Sequence, residues 1–290
     1  QGVDIRDFSC LYLNKAKDLE VSLSLEQFLL DGKIMDINYQ LDAEVDAFFH
    51  TINNGGIKYA HNQPFRGNVS FRVNEKLYTI HRGELQLGDI HTRTTGSIQM
   101  ASGKGADLDL EFEARKVAIP WVMELIMERR NQALRGVSAR GTMDITASVV
   151  GHTSSVTSPH INAEFQTRGS ALMLDNMPFS LESLSLSGTY SNGERNRLAS
   201  SVLNINHFDV SAGDSRVSGS VSVNDFTAPS FVVNTSGEVH MADLERWTEL
   251  EGVEKTDGEL LPELTVRGSL LRQRSSGAPA IRFVPNGTIA

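Results

Sequence analysis

The alternation of apolar and polar residues, which recurs along nearly the whole chain, most constrains its fold. Side chains on a β-strand point alternately to opposite faces, so a period of two predicts strands with one apolar and one polar face. In Leu184-Ser185-Leu186-Ser187, for example, the leucines face one way and the serines the other. Turn signals such as Ser191-Asn192-Gly193 separate the runs. The sequence predicts about 17 strands of about five to seven residues each.

Helical spacing is limited to two short segments. Ile119-Pro120-Trp121 opens one, which we expect to continue to about Arg130, because proline is tolerated in the first helical turn. A second is expected from Ala242 to about Leu250. These helices are too few to cover the apolar faces of so many strands. The chain is therefore mainly β, and a sandwich, a barrel or a long sheet curled into a gutter could each shelter the apolar face.

A weak internal repeat suggests two units. Pro64-Phe65 and Pro178-Phe179 each precede alternating strands, and Trp121 and Trp247 each follow a strand into a predicted helix. The order of turn, Pro-Phe pair, hairpin strands, helix and new strand is the same in both halves. We expect a first β-groove repeat at residues 1–132 and a second at 133–290, as parts of one elongated sheet.

Composition excludes some classes of partner. The net charge of −9 and the lack of a basic cluster argue against a nucleic-acid partner. Cys10 is the one cysteine, which excludes an internal disulfide and leaves the redox compartment open. No run of apolar residues is long enough for a membrane helix, and no secretory signal is present. Because the chain begins at Gln1 in an apparent strand, we expect a piece of a longer protein.

Motifs for catalysis or metal binding are missing from the sequence. The eight histidines form no H-x-x-x-H pair, and neither a phosphate-binding loop nor a G-x-S-x-G elbow occurs. The alternating carboxylates Asp107, Asp109, Glu111 and Glu113 are more simply interpreted as a solvated strand face than as an acid-base or calcium site. We therefore predict a non-enzymatic protein without a cofactor or a metal.

The apolar face is then the candidate functional surface. The residues expected to line it alternate along the strongest strand patterns. They are Val69, Phe71, Val73, Leu85, Leu87, Leu108, Leu110, Phe112, Met143, Ile145, Ile161, Phe165, Leu184, Leu186, Leu203, Ile205, Val217, Val221 and Val223.

Several segments resemble the AsmA-like and TamB-like proteins, the repeating β-groove family of Gram-negative cell envelopes. The segments that carry the resemblance are 108–112, 119–125, 136–145, 158–165, 174–178 and 181–188, within a likeness that extends from about Leu41 to Trp247. The resemblance rests on the order of strand, glycine and Pro-Phe positions. The family's N-terminal membrane helix does not occur in this sequence, which fits an internal or C-terminal fragment.

The resemblance implies a long antiparallel sheet curled lengthwise into an open, taco-like groove. It also implies a parent protein anchored in the inner membrane and projecting into the periplasm, where the groove conducts phospholipid or another acyl lipid for outer-membrane biogenesis. Envelope proteins are expected as partners. The alternative is a structural or adhesive β-repeat with a sealed sandwich core and no lipid. A polysaccharide-acting enzyme is a more distant third hypothesis, because aromatic residues make up only 7% of the chain.

Overall fold

The computed structural model describes residues 2–15, 19–35, 38–54, 57–101, 105–122, 137–154, 156–174, 180–248, 257–272 and 279–289. The fold is mainly β, with 80% of the described residues in strands, and these strands belong to one antiparallel sheet. This confirms the predicted fold class, an antiparallel sheet with two short helical segments. Among the described residues the sheet has 17 strands, the number expected from the alternation.

Residue contacts divide the chain into two compact units. Unit 1 consists mainly of Gln1–Val117 and Asp144–Ile161, and unit 2 mainly of Asn162–Ala290. The predicted repeat units 1–132 and 133–290 remain a prediction, because equivalence between the halves depends partly on Trp121–Arg130 and Pro178-Phe179, which lie largely outside the described residues.

In unit 1, consecutive strands pair as antiparallel neighbours from β1 to β7, and β9 lies beside β7. The strands are β1 Gly2–Asn14, β2 Leu19–Met35, β3 Asn38–Asn54, β4 Ile57–Asn74, β5 Leu77–Leu87, β6 Ile90–Met100, β7 Ala106–Ala118, β8 Val137–Arg140 and β9 Thr142–Thr153, of which β8 belongs to unit 2.

In unit 2, β8 pairs with β10, and consecutive pairing then extends from β10 to β14 and through β16 to β17. The two-residue strand β15 pairs with the end of β14. The strands are β10 His160–Leu174, β11 Ser180–Ser191, β12 Val202–Ala212, β13 Ser215–Asn224, β14 Ser230–His240, β15 Glu259–Leu260, β16 Pro262–Arg272 and β17 Pro279–Ile289.

The predicted strand length of five to seven residues is wrong. The strands β2 and β3 have 17 residues each and β4 has 18, so β4 extends about 60 Å at 3.4 Å per residue. The reason is that the alternation changes phase inside strands. Each change of phase coincides with a β-bulge or a register shift. In the sequence alone, such a change looks like the end of a strand.

Two strands show how bulges keep apolar side chains on the same face of the sheet along the whole strand. In β12, Leu203 and Ile205 are followed by Phe208 and Val210, and the register shifts between Ile205 and Phe208. In β1, Ile5 is followed by Phe8, and the intervening Asp7 has a positive φ of 53°. Without these irregularities, the second half of each strand would turn its apolar side chains to the polar face.

Both predicted helices are present in the parts of them that the structure describes. Residues 119–122 are helical, and the remainder of the first predicted helix lies outside the described residues. The second, α1, spans Met241–Thr248, close to the predicted start at Ala242. Asp243 lies in its first turn and Arg246 in its last, which suits the polarity of a helix dipole.

The hydrophobic core is small for a chain of this length. Among the described residues seven apolar side chains are buried, and four of them are alanines. The total accessible surface is 18778 Å². Two compact globular units, each with half the mass of the chain, would together expose only about 15,000 Å². Much of the apolar surface on the strands is therefore only partly covered.

Candidate functional site: the apolar face of each unit

Strand pairing gathers the apolar side chains of unit 1 on one face. Residues that are directly paired across antiparallel strands share a face, so the registers can be followed from strand to strand. One row runs through Leu41, Phe71, Ile80, Gly96 and Leu110. A parallel row runs through Tyr39, Val73, Tyr78, Ile98 and Leu108.

All eight of the predicted lining residues on β4, β5 and β7 lie on this surface, which we call the unit 1 apolar face. They are Val69, Phe71, Val73, Leu85, Leu87, Leu108, Leu110 and Phe112. Ile145 on β9 faces the same way. The alternate positions on β9 are polar except for Val150, and one of them, His152, donates a 2.8 Å hydrogen bond from Nδ1 to Asp107 on the polar face. Met143 alternates with Asp144 and shares the side of Ile145 on β9.

Sequence reasoning missed part of the unit 1 apolar face. The strands β1 to β3 add Val3, Ile5, Phe8, Phe28, Leu30, Leu41 and Val45 to it. Their patterns were harder to recognise because bulges at Asp7 and opposite it in β2 interrupt the alternation. The pairing of Ile5 with Phe28, and of Phe28 with Val45, could be found only from the register.

Unit 2 has an equivalent surface, which we call the unit 2 apolar face. One row crosses six strands through Phe165, Gly188, Ile205, Val221, Val233 and Val266. A second connects Tyr190, Leu203, Val223 and Phe231. The predicted residues Phe165, Leu184, Leu186, Leu203, Ile205, Val217, Val221 and Val223 all lie on this face. Ile161 is four positions before Phe165 on β10, but it belongs to unit 1.

The apolar and polar faces differ in how much they are enclosed. On the unit 1 apolar face Leu110 is 9% exposed, and Phe71, Val73 and Leu85 are half-buried. On the opposite face the side chains of Arg66 and Arg93 are 70% exposed. The apolar side chains shelter one another across the strands, but most of them stay accessible to a ligand.

Glycines make room for aromatic rings on the unit 2 apolar face. A Cβ atom built on Gly188 would lie 2.6 Å from Cζ of Phe165, and one on Gly219 would lie 3.0 Å from Cε1 of Phe208. In both cases the aromatic residue is the direct cross-strand partner of the glycine. The rings therefore lie over the glycine backbone and leave space above the sheet.

The polar faces carry solvated groups. On unit 1, Arg115 pairs with Glu113 at 2.5 Å and Asp107 contacts His152 at 2.8 Å, while Asp109 and Glu111 are exposed. A depression of about 620 Å³ is lined largely by charged and amide side chains of this face. On unit 2, hydroxyl and amide groups predominate, with Asn204 accepting from Ser222 at 2.8 Å. Charged, amide and hydroxyl side chains therefore dominate both of these faces.

Comparisons with known proteins add no relative. No family model, no curated protein and no solved structure matches the chain. In the part of the chain that the structure describes, no helix has the length and apolar character to span a bilayer.

Proposed function

We infer that the apolar faces hold the acyl chains of a lipid, and that the protein acts as a non-enzymatic lipid-conducting module. The observation that supports this most strongly is that bulges keep apolar side chains on one face while those side chains remain only half-buried. A protein that merely needed a stable fold would gain more by covering this surface, because burial of apolar area stabilises the folded state.

The energetics of such a role are favourable without catalysis. Moving an acyl chain through water costs about 0.8 kcal/mol per CH₂ group, so a lipid with about 30 such groups faces a cost above about 20 kcal/mol. An apolar strand face that accompanies the chains removes most of that cost. The long strands suit this task, because β4 alone is longer than the hydrocarbon core of a bilayer, which is about 30 Å thick and holds two layers of acyl chains.

The resemblance to AsmA-like proteins supports a more specific proposal. The sheet would curl lengthwise into an open, taco-like groove in the periplasm, anchored to the inner membrane by a part of the parent protein outside this chain. Phospholipid or another acyl lipid would be the cargo, and other envelope proteins would be the partners in outer-membrane biogenesis.

The competing function is a structural or adhesive β-repeat with a sealed sandwich core. A sealed core would bury valine, leucine and phenylalanine side chains fully, as protein interiors are close-packed. The described residues instead bury mostly alanines. The open face therefore favours the lipid-holding function over the sandwich.

The experiment that tests the proposal is lipid analysis of the purified chain. The protein is expressed in a Gram-negative host, purified without detergent, and examined by native mass spectrometry and by solvent extraction. Co-purified phospholipid in a defined stoichiometry is the expected result. A lipid-free protein that also fails to take up phospholipid from vesicles would support the structural alternative.

A further inference from the structure

One cluster of potential metal ligands lies away from the apolar faces, at the end of β14. The imidazole Nε2 of His240 is 3.4 Å from Oε1 of Glu238, and its Nδ1 is 3.9 Å from Oε1 of Glu259. One ligand atom from each of the three residues lies within 4.8 Å of the other two. His240 is the least exposed of the three side chains, at 31%.

Backbone pairing brings these residues together, although they are separated in sequence. Glu238 and His240 are two positions apart on β14 and so point to the same face. Glu259 is the direct cross-strand partner of His240 in the two-residue strand β15. The segment between them is tied at its base by a hydrogen bond from the Met241 N–H to the Gly258 carbonyl, 3.0 Å long. The three side chains therefore converge through the sheet register rather than through chance rotamers.

The local charge favours a cation. In the described part of the chain, Glu238 and Glu259 both have His240 as their ion-pair partner. The nearest arginine in the register, Arg216, is the cross-strand partner of Glu238, but its guanidinium binds Asp209 at 2.9 Å. Two carboxylates facing one imidazole leave net negative charge even when the imidazole is protonated.

We propose that Glu238, His240 and Glu259 form a binding site for Zn²⁺ or a similar divalent transition metal, with water completing the coordination. Imidazole nitrogen with carboxylate oxygens is a ligand set that suits zinc, whereas calcium and magnesium prefer oxygen ligands alone. One imidazole nitrogen binds the ion, and the two glutamates face different nitrogens, so binding requires the exposed glutamate side chains to rotate toward the nitrogen that binds.

The metal would fasten the start and end of the segment that carries α1. Because His240 precedes α1 and Glu259 follows it, a bound ion adds a second link beside the Met241–Gly258 hydrogen bond. Binding to the folded state alone also stabilises that state by mass action. Zinc is therefore expected to raise the melting temperature of the protein.

The test uses the whole chain, stripped of metal with a chelator that is then removed. Isothermal titration with Zn²⁺ should show one site, and Co²⁺ should give visible absorption bands of a low-symmetry nitrogen and oxygen site. Replacement of an outer hydrogen-bond partner of a metal ligand already costs 10- to 100-fold in affinity, so His240→Ala should weaken binding by at least about tenfold. Glu259→Gln should weaken it in the same direction.

The control is His152→Ala, which removes a histidine that also contacts a carboxylate but belongs to no three-ligand cluster in the described part of the chain. Zinc affinity and the thermal shift should stay as in the unaltered protein. All three substituted side chains, His240, Glu259 and His152, are at least partly exposed, so circular dichroism should show folded variants. Binding that is unchanged in both His240→Ala and Glu259→Gln would overturn the site, as would equal affinity for Ca²⁺ and Zn²⁺.

Discussion

Asp243 holds the β12–β13 turn beneath α1. Its side chain is 1% exposed and accepts hydrogen bonds from the Asp214 N–H at 2.8 Å, the Ser215 N–H at 2.9 Å and the Ser215 hydroxyl at 2.7 Å. Burial raises the pKa of this carboxyl, but the hydrogen bonds from Ser215 and Asp214 and the charge of Arg246 outweigh burial and lower the pKa overall. The ionised form is therefore the one that the folded state prefers.

This pKa shift predicts an acid-sensitive stability. Because the folded pKa is depressed, the stabilisation is present above the unfolded value of about 3.9 and is lost as the pH falls through the lower folded value. Asp243→Asn should reduce the free energy of unfolding at pH 7 by about 1–3 kcal/mol, since hydrogen bonds to a charged group are replaced by weaker ones. Urea unfolding at pH 7 and pH 3 measures both effects. Asp214→Asn, at an exposed neighbouring side chain, should change little, and equal losses in the two variants would contradict the assignment.

Leu186 provides the residue-scale test of the apolar face. It pairs with Thr167 and Phe208 on the unit 2 apolar face, whereas the adjacent Ser187 is exposed on the polar face. Leu186→Asp should abolish lipid loading with only a modest fall in melting temperature. Water can reach a carboxylate on an open face, but an acyl chain packed against it would desolvate the charge.

The matched control is Ser187→Asp, which adds the same charge one residue away and should alter neither lipid loading nor melting. Thermal melts and extracted lipid are measured on the same preparations. A steep loss of stability in Leu186→Asp, together with a lipid-free unaltered protein, would indicate a sealed core instead.

At the scale of the strand, the positions of the bulges determine which face each side chain occupies, and the alternation alone does not show those positions. In β11, Leu181 is followed by Leu184 and Leu186, and the register with β12 shifts between Glu182 and Ser185. Ser183 lies at this shift with a positive φ of 52°, a conformation that glycine adopts without strain. The irregularity turns Leu184 and Leu186 to the apolar face.

Replacing serine with glycine at two positions on β11 should therefore change the free energy of unfolding in opposite directions. Ser183→Gly should raise the free energy of unfolding by about 1 kcal/mol, because it relieves a left-handed conformation. Ser187→Gly, at an ordinary extended position, should lower it by about 0.5–1 kcal/mol through the entropy cost of glycine. Chemical denaturation of both variants provides the measurement. Destabilisation of similar size by both would mean that Ser183 is not a strained bulge position.

The elements also show where prediction from sequence succeeds and fails. The alternation of Leu184 and Leu186, or of Val69 and Phe71, is enough to predict strands and to assign side chains to faces. It cannot reveal that β12 continues past Asn206 and His207, because a phase change in the pattern has the same appearance as a strand end. Strand lengths were therefore underestimated although the number of strands was predicted.

At the scale of the whole molecule, the sequence predicts the chemistry of the sheet surface better than its partners. The sequence contains no metal-binding motif, and the proposed site depends on the pairing of Glu259 with His240 through a register that no sequence spacing encodes. Such clusters depend on long-range pairing, whereas the apolar face depends on local alternation. The lipid, the periplasmic location and the family remain proposals that rest on the resemblance and on the open apolar faces.

The most direct test of the central claim is site-specific photocrosslinking to lipid in cells. A photoreactive amino acid replaces the half-buried Leu108 on the unit 1 apolar face or Val221 on the unit 2 apolar face, with Asp109 and Ser220 as the adjacent polar-face controls. The covalently captured lipid is then identified by mass spectrometry. Lipid adducts at Leu108 and Val221, with little or none at Asp109 and Ser220, are the result that we predict. Equal capture at both faces, or none at either apolar position while the protein remains folded, would contradict the lipid-holding function.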